Sequence, residues 1–118
     1  IFVSRLLAGK PLTIFGDGRQ TRDFIFVDDV VRANILAAEK KEAEGAVLNI
    51  ATGKGTSVNT LAKVIAGLSE RQLAVKKAPP REGDIKDSYA DISCAKNFLG
   101  FRPGTTLSTG LRIFRSAL

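Results

Sequence analysis

Residues 11–31, PLTIFGDGRQTRDFIFVDDVV, compress two apolar runs, a turn and a helix start into one short stretch. Leu12-Thr13-Ile14-Phe15 reads as a short strand. It ends in Gly16-Asp17-Gly18, where two glycines around an aspartate permit the positive φ of a tight turn. The apolar run Phe24-Ile25-Phe26-Val27 makes Asp23 to Val27 the second strand. Asp28 or Asp29 then caps a helix that runs to about Lys41, because a carboxylate accepts from the free N–H groups of the first turn and meets the positive end of the helix dipole. Arg19 and Arg22 lie between the two strands. The spacing predicts an anion-binding corner.

The flanking sequence predicts helices and short strands in alternation. Residues 1–9 fit a helix with Ile1, Phe2, Arg5, Leu6 and Ala8 near one side and Gly9 as its stop. The helix after Asp29 presents Val30, Val31, Ala33, Asn34, Ala37 and Ala38 as a small-residue packing face. Residues 46–51, AVLNIA, read as a near-continuous apolar strand of the kind buried on both faces of a parallel sheet. Ser57 caps a helix from Val58 to Leu68, with Leu61, Val64, Ile65 and Leu68 at helical spacing. A short strand at Leu73-Ala74-Val75, a proline-stiffened loop at 79–84 and a short bridge at 87–89 follow. Ile92 to Leu99 is a helix stopped by Gly100, and Thr106 caps the last helix, whose buried edge is Leu107, Leu111 and Phe114. The class is α/β with about five helices, but the sheet is too short of strands for a self-sufficient doubly wound fold. The first helix opens without an N-cap and the last is still running at Leu118, so the 118 residues read as one segment of a longer polypeptide, incomplete at the N-terminus.

Composition narrows the chemistry. There is no histidine and one cysteine, Cys94, which argues against a zinc or haem site and rules out an internal disulfide. No apolar run approaches the roughly 20 residues that span a bilayer. A formal net charge of +6 favours phosphate-bearing partners, or is a basic surface kept for solubility.

Arg22 stands at a strand entrance beside Asp23, and Arg81 in the loop Pro79-Pro80-Arg81-Glu82-Gly83-Asp84. Arginine offers a rigid fork of donors that matches phosphate oxygens, and a nearby aspartate can accept from ribose hydroxyls. Phe15, directly before the glycine turn, is either core or the wall of a nucleobase pocket. Gly53-x-Gly55 is half a dinucleotide fingerprint whose third position is Val58 rather than glycine, so loop geometry explains it better than a phosphate cradle. Tyr89 has Ser93, not lysine, four residues on, and Cys94 has no histidine partner. The chain contains no convincing reaction centre, and its catalytic and cofactor-binding residues are expected to be none.

The blocks GDGRQTRDFIFVDDV, LNIATGKGTSVNTLA, PPREGDIKDSYADIS and NFLGFRPGTTLSTGL, in this order and spacing, resemble the C-terminal part of the extended short-chain dehydrogenase/reductases, the NAD-dependent nucleotide-sugar epimerase/dehydratase family. The resemblance covers essentially the whole chain. It implies a sugar-nucleotide-binding segment in which Arg22 and Arg81 grip the diphosphate, Asp84 holds ribose hydroxyls, and Thr13 and Phe15 line the base pocket. NAD and the reacting groups would belong to an N-terminal Rossmann domain of the same polypeptide. The implied activity is interconversion of UDP-glucose and UDP-galactose at C4 through a 4-keto sugar, in a cytoplasmic homodimer. A 4,6-dehydratase, decarboxylase or keto-reductase of the same family is the near alternative. A free-standing nucleotide- or nucleic-acid-binding module is the distant one, with sparse aromatics against it. Phe26 departs from the histidine or tyrosine usual in the family, Cys94 from lysine, and Thr60 and Thr109 from the glutamates that would complete capping boxes.

Overall fold

The computed structural model describes residues 1–68 and 74–117. The elements in order are α1 (Phe2–Leu7), β1 (Leu12–Phe15), β2 (Thr21–Arg22), α2 (Val27–Glu39), β3 (Thr56–Ser57), α3 (Val58–Gly67), β4 (Val75–Ala78), β5 (Asp87–Ser88), α4 (Ser93–Leu99) and α5 (Leu107–Ser116), with a single 3-10 turn at Lys41–Ala43. The α/β class with five helices and short strands is as the sequence implies. Two small sheets form. β1 pairs in parallel with β4, Leu12 opposite Val75 and Phe15 opposite Ala78. β2 is central in the other, antiparallel to β3 and parallel to β5. Leu73, which the sequence places in a strand, lies outside the described residues, and β4 extends to Ala78 instead.

Two separate apolar clusters hold these elements. Val3 and Leu6 of α1, Leu12 and Ile14 of β1, and Ala62 and Ile65 of α3 form the first. Ala33 of α2, Ala95 and Leu99 of α4, and Phe101 form the second, with Ile25, Leu48 and Ile50 packed against it. In β1 the pleat sends Leu12 and Ile14 into the first cluster and leaves Thr13 and Phe15 on the opposite face. The molecule is a slab of 49 × 33 × 15 Å. Its accessible surface is 8115 Å², where a compact monomer of this mass has about 6200 Å².

Several expectations are corrected. Residues 23–26 are not a strand: pairing stops at Arg22, and α2 starts at Val27. Neither Asp28 nor Asp29 caps that helix; its N-cap is Phe26, without a side-chain bond. Asp29 instead turns inward and is 3% exposed, accepting from the backbone N–H groups of Gly104 (3.0 Å) and Thr105 (2.9 Å) and from Arg32 (2.9 Å). Residues 46–51 form no strand, because no described segment pairs with them, and Val47 is 96% exposed. The small-residue face of α2 buries only Ala33, while Val31, Asn34, Ala37 and Ala38 stay exposed. In α1 it is Val3, not Ile1, that joins Leu6 inside. On α5 Phe114 is half-exposed rather than buried. Ser57 and Thr106 do cap α3 and α5 as expected, accepting from Thr60 N–H (3.1 Å) and Thr109 N–H (3.2 Å). Gly100 closes α4 in the left-handed conformation.

Candidate functional site

The turn after β1 is fixed by the start of α3. Gly16 and Gly18 both take positive φ, 69° and 73°. Asn59 donates its backbone N–H to Gly18 O and its side-chain amide to Asp17 O, each at 2.9 Å. A Cβ on Gly18 would lie 2.2 Å from Asn59 Oδ1, so the close approach requires glycine as well as the backbone angle does.

Beside this turn the end of β1 meets the 79–86 loop, which parallel pairing of β1 with β4 and of β2 with β5 brings alongside. A pocket of about 650 Å³ opens there, lined among others by Phe15, Arg19, Gln20, Arg81, Asp84 and Lys86. Of the sequence-predicted residues, Phe15, Arg81 and Asp84 line it directly. The Arg81 guanidinium carbon lies 3.9 Å from the centre of the Phe15 ring, a cation–π stack. Arg22 is not among the pocket's lining residues. It donates to Thr21 O (2.6 Å), to Ile85 O (2.7 Å) and to Asp84 Oδ1 (2.5 Å). Thr13 shares the β1 face with Phe15 but is not among the pocket's lining residues.

The sequence reasoning missed three residues here. Gln20 donates to Phe15 O (2.9 Å) and to the other Asp84 oxygen, Oδ2 (3.3 Å), so Arg22 and Gln20 between them orient both oxygens of that carboxylate. A neutral amide leaves no charge signal in a sequence, although its place inside the corner could have drawn notice. Lys86 adds a cation that its neighbours in sequence do not mark as special. Asp23 holds the frame together. It accepts from Thr52 N–H and Gly53 N–H, both 2.9 Å, from Thr52 Oγ1 (2.5 Å) and from Ala90 N–H (3.5 Å). Partial burial pushes its pKa up, but these donors outweigh that and hold it below the ordinary aspartate range.

The Asp23 contact decides the reading of Gly53-x-Gly55. The N–H groups of Thr52 and Gly53 already point at a carboxylate of this chain, so the loop is not a cradle for a dinucleotide phosphate. No group of three or more metal-ligating side chains occurs among the described residues. No described helix is long and apolar enough to cross a membrane.

A second cavity, about 450 Å³, lies between α1, residues 24–27 and α5, with Phe24, Phe26, Leu107 and Phe114 among its walls. No charged side chain among the described residues lines it. Phe26 is pressed against Gly110, whose Cβ would lie 2.9 Å from Phe26 Cδ2. The groove is apolar, and the cationic pocket is the candidate site.

The sequence model of the NAD dependent epimerase/dehydratase family matches residues 1–51. A UDP-glucose 4-epimerase of Mycolicibacterium smegmatis is 40% identical over 111 residues, 94% of this chain and 35% of its own length. The crystal structure of the Thermotoga maritima UDP-glucose 4-epimerase with UDP-glucose superposes with a TM-score of 0.88 at 42% identity, covering 98% of this chain and 37% of that one. This chain matches the NAD dependent epimerase/dehydratase family over residues 1–51 and is similar to the C-terminal third of these UDP-sugar 4-epimerases over nearly its whole length. The Bacillus cereus UDP-glucuronic acid 4-epimerase, in complex with UDP-glucuronic acid and NAD, superposes equally well, with a TM-score of 0.88 at 34% identity, over 98% of this chain and 37% of its own. The chain thus spans about a third of the length of the relatives it matches.

Proposed function

We propose that residues 1–118 are the substrate-binding, C-terminal part of an NAD-dependent sugar-nucleotide epimerase that interconverts UDP-glucose and UDP-galactose at C4 through a 4-keto sugar. The observation that carries the reading is the pocket where Arg81, Lys86, Arg19 and the Asp84 carboxylate surround Phe15. Cations face an anionic diphosphate, an oriented carboxylate accepts from ribose hydroxyls, and a ring and strand edge receive the base. Arg22 supports the pocket wall and keeps unused donors for the diphosphate. Relatives in complex with UDP-glucose and with UDP-glucuronic acid support the ligand class.

On this reading NAD and the groups that take up and return the proton at C4 belong to a Rossmann domain preceding these residues, and the whole is a cytoplasmic homodimer. The present residues supply remote binding energy, which fixes the sugar against the reacting groups and lowers the barrier without touching the reacting atoms. The test is incubation of the protein expressed from its complete gene with UDP-glucose, UDP-glucuronic acid and dTDP-glucose, with NAD supplied, followed by product analysis. UDP-galactose as the main product is expected. A 4-keto-6-deoxy sugar would make it a dehydratase, loss of CO₂ from UDP-glucuronic acid a decarboxylase, and turnover of none of the three would overturn the reading.

A further inference from the structure

Arg81 already has a partner in the ligand-free chain. Its guanidinium lies on the Phe15 ring, 3.9 Å from the centroid, on the wall that the proposed function gives to the base. The stack covers apolar ring surface and places a cation over the negative face of the π system. No carboxylate lies within salt-bridge distance of Arg81 among the described residues, although Asp84 is three positions away; that carboxylate is held by Arg22. Nothing but the ring therefore competes for Arg81 when an anion arrives.

We infer that Arg81 discriminates between ligands by exchanging the Phe15 ring for phosphate. The inference rests on the proposed sugar-nucleotide reading and deepens it. A nucleoside that approaches Phe15 must displace the guanidinium and gives it nothing in return. A nucleoside diphosphate displaces it too, but its phosphate oxygens accept from the same guanidinium with charge-assisted hydrogen bonds, which are stronger than the stack they replace. One residue thus penalises the base-only ligand and rewards the phosphorylated one. Selectivity is a difference of affinities, and here both components come from a single side chain.

The exchange predicts changes of opposite sign. Affinities for uridine, UMP and UDP are measured by calorimetry on the protein from its complete gene, as wild type, Arg81→Ala and Arg81→Lys. Arg81→Ala is expected to tighten uridine about 2- to 5-fold, the worth of an exposed cation–π contact, and to weaken UDP about 10- to 100-fold, the worth of a charge-assisted contact. Arg81→Lys keeps the charge without the flat fork, so it should recover part of the UDP affinity while uridine stays tighter than in wild type. Arg81 sits in an exposed loop, and an unchanged melting temperature shows that the variants remain folded. Uridine and UDP weakening together in Arg81→Ala, or neither changing, overturns the exchange while leaving the substrate class intact. A wild type that binds no UDP overturns both.

Discussion

The two clusters of the slab both close at their centres and differ in what the helices around them leave exposed. The first, between α1, β1 and α3, encloses Leu12, Ile14 and Ile65 at 3% exposure or less. The second encloses Phe101 and Ala95 between α2 and α4 but leaves Val31 and Ile35 of α2, and Val47 next to Leu48 in sequence, at half exposure or more. The proposed ligand pocket is built on the closed half, where β1, α3 and the 79–86 loop hold one another. Val31, Ile35 and Val47 give the open half an exposed apolar face. A binding site needs positions fixed to fractions of an ångström, so it sits where the local packing is complete.

Two single changes break the comparison at its strongest points. Phe101→Ala empties the centre of the second cluster and should cost about 3–5 kcal/mol in urea unfolding of the complete protein. Ile65→Ala in the first should cost about 2–4 kcal/mol and, unlike Phe101→Ala, should also weaken UDP, because α3 carries Asn59 and Asn59 holds the 16–18 turn. Equal effects of the two on UDP would show that the pocket draws on both halves.

Asp29 sharpens the comparison, because the open half depends on it. Burial alone would raise its pKa, but the N–H groups of Gly104 and Thr105 and the Arg32 charge together depress it. A depressed folded-state pKa means that the carboxylate contributes stability above the unfolded value of about 3.9 and loses it as pH falls through that value toward the folded one. Asp23 has the same sign. Stability should therefore be flat from about pH 7 to 5 and fall below about pH 4. Asp29→Asn should cost about 1–3 kcal/mol at neutral pH, since an amide N–H₂ must face one of the two backbone donors, and should make the acid decline shallower. An unchanged acid slope would remove Asp29 from the account.

How much of this could be read beforehand follows the same division. Local signals told the truth wherever the partner was also local. The Ser57 and Thr106 caps and the Gly100 stop each depend on neighbours within a few residues. Arg81 and Asp84, which line the pocket, stood out by charge and loop stiffness, while Phe15 could be read equally as core or as pocket wall. The failures were of signals whose partner is distant or missing here. Residues 46–51 carry a strand's composition, but a strand exists only when something pairs with it. Asp29 had the composition of a cap, yet a loop 75 residues away offered two free N–H groups that its carboxylate took instead. Gln20 and Asp23 escaped because their importance lies in hydrogen bonds to backbone that no residue-type pattern records.

The two capped helices give the finest probe, because their caps are matched and their surroundings are not. Ser57 and Thr106 each accept from the N–H three residues on, and each hydroxyl also meets a threonine hydroxyl at 2.9 Å where a capping box would place glutamate. Losing the cap at Ser57→Ala should cost about 1 kcal/mol, because α3 cannot loosen without disturbing the closed cluster. Thr106→Ala should cost about half as much in global unfolding, because α5 buries only Gly110 and keeps Ile113 and Phe114 near half exposure, so its first turn frays locally. Backbone hydrogen exchange separates the two cases. Amides 58–61 should lose protection only with the whole fold, and amides 107–110 well before it. Equal costs and simultaneous exchange would mean that α5 is as firmly packed as α3, and the distinction between a closed and an open half would have to be abandoned.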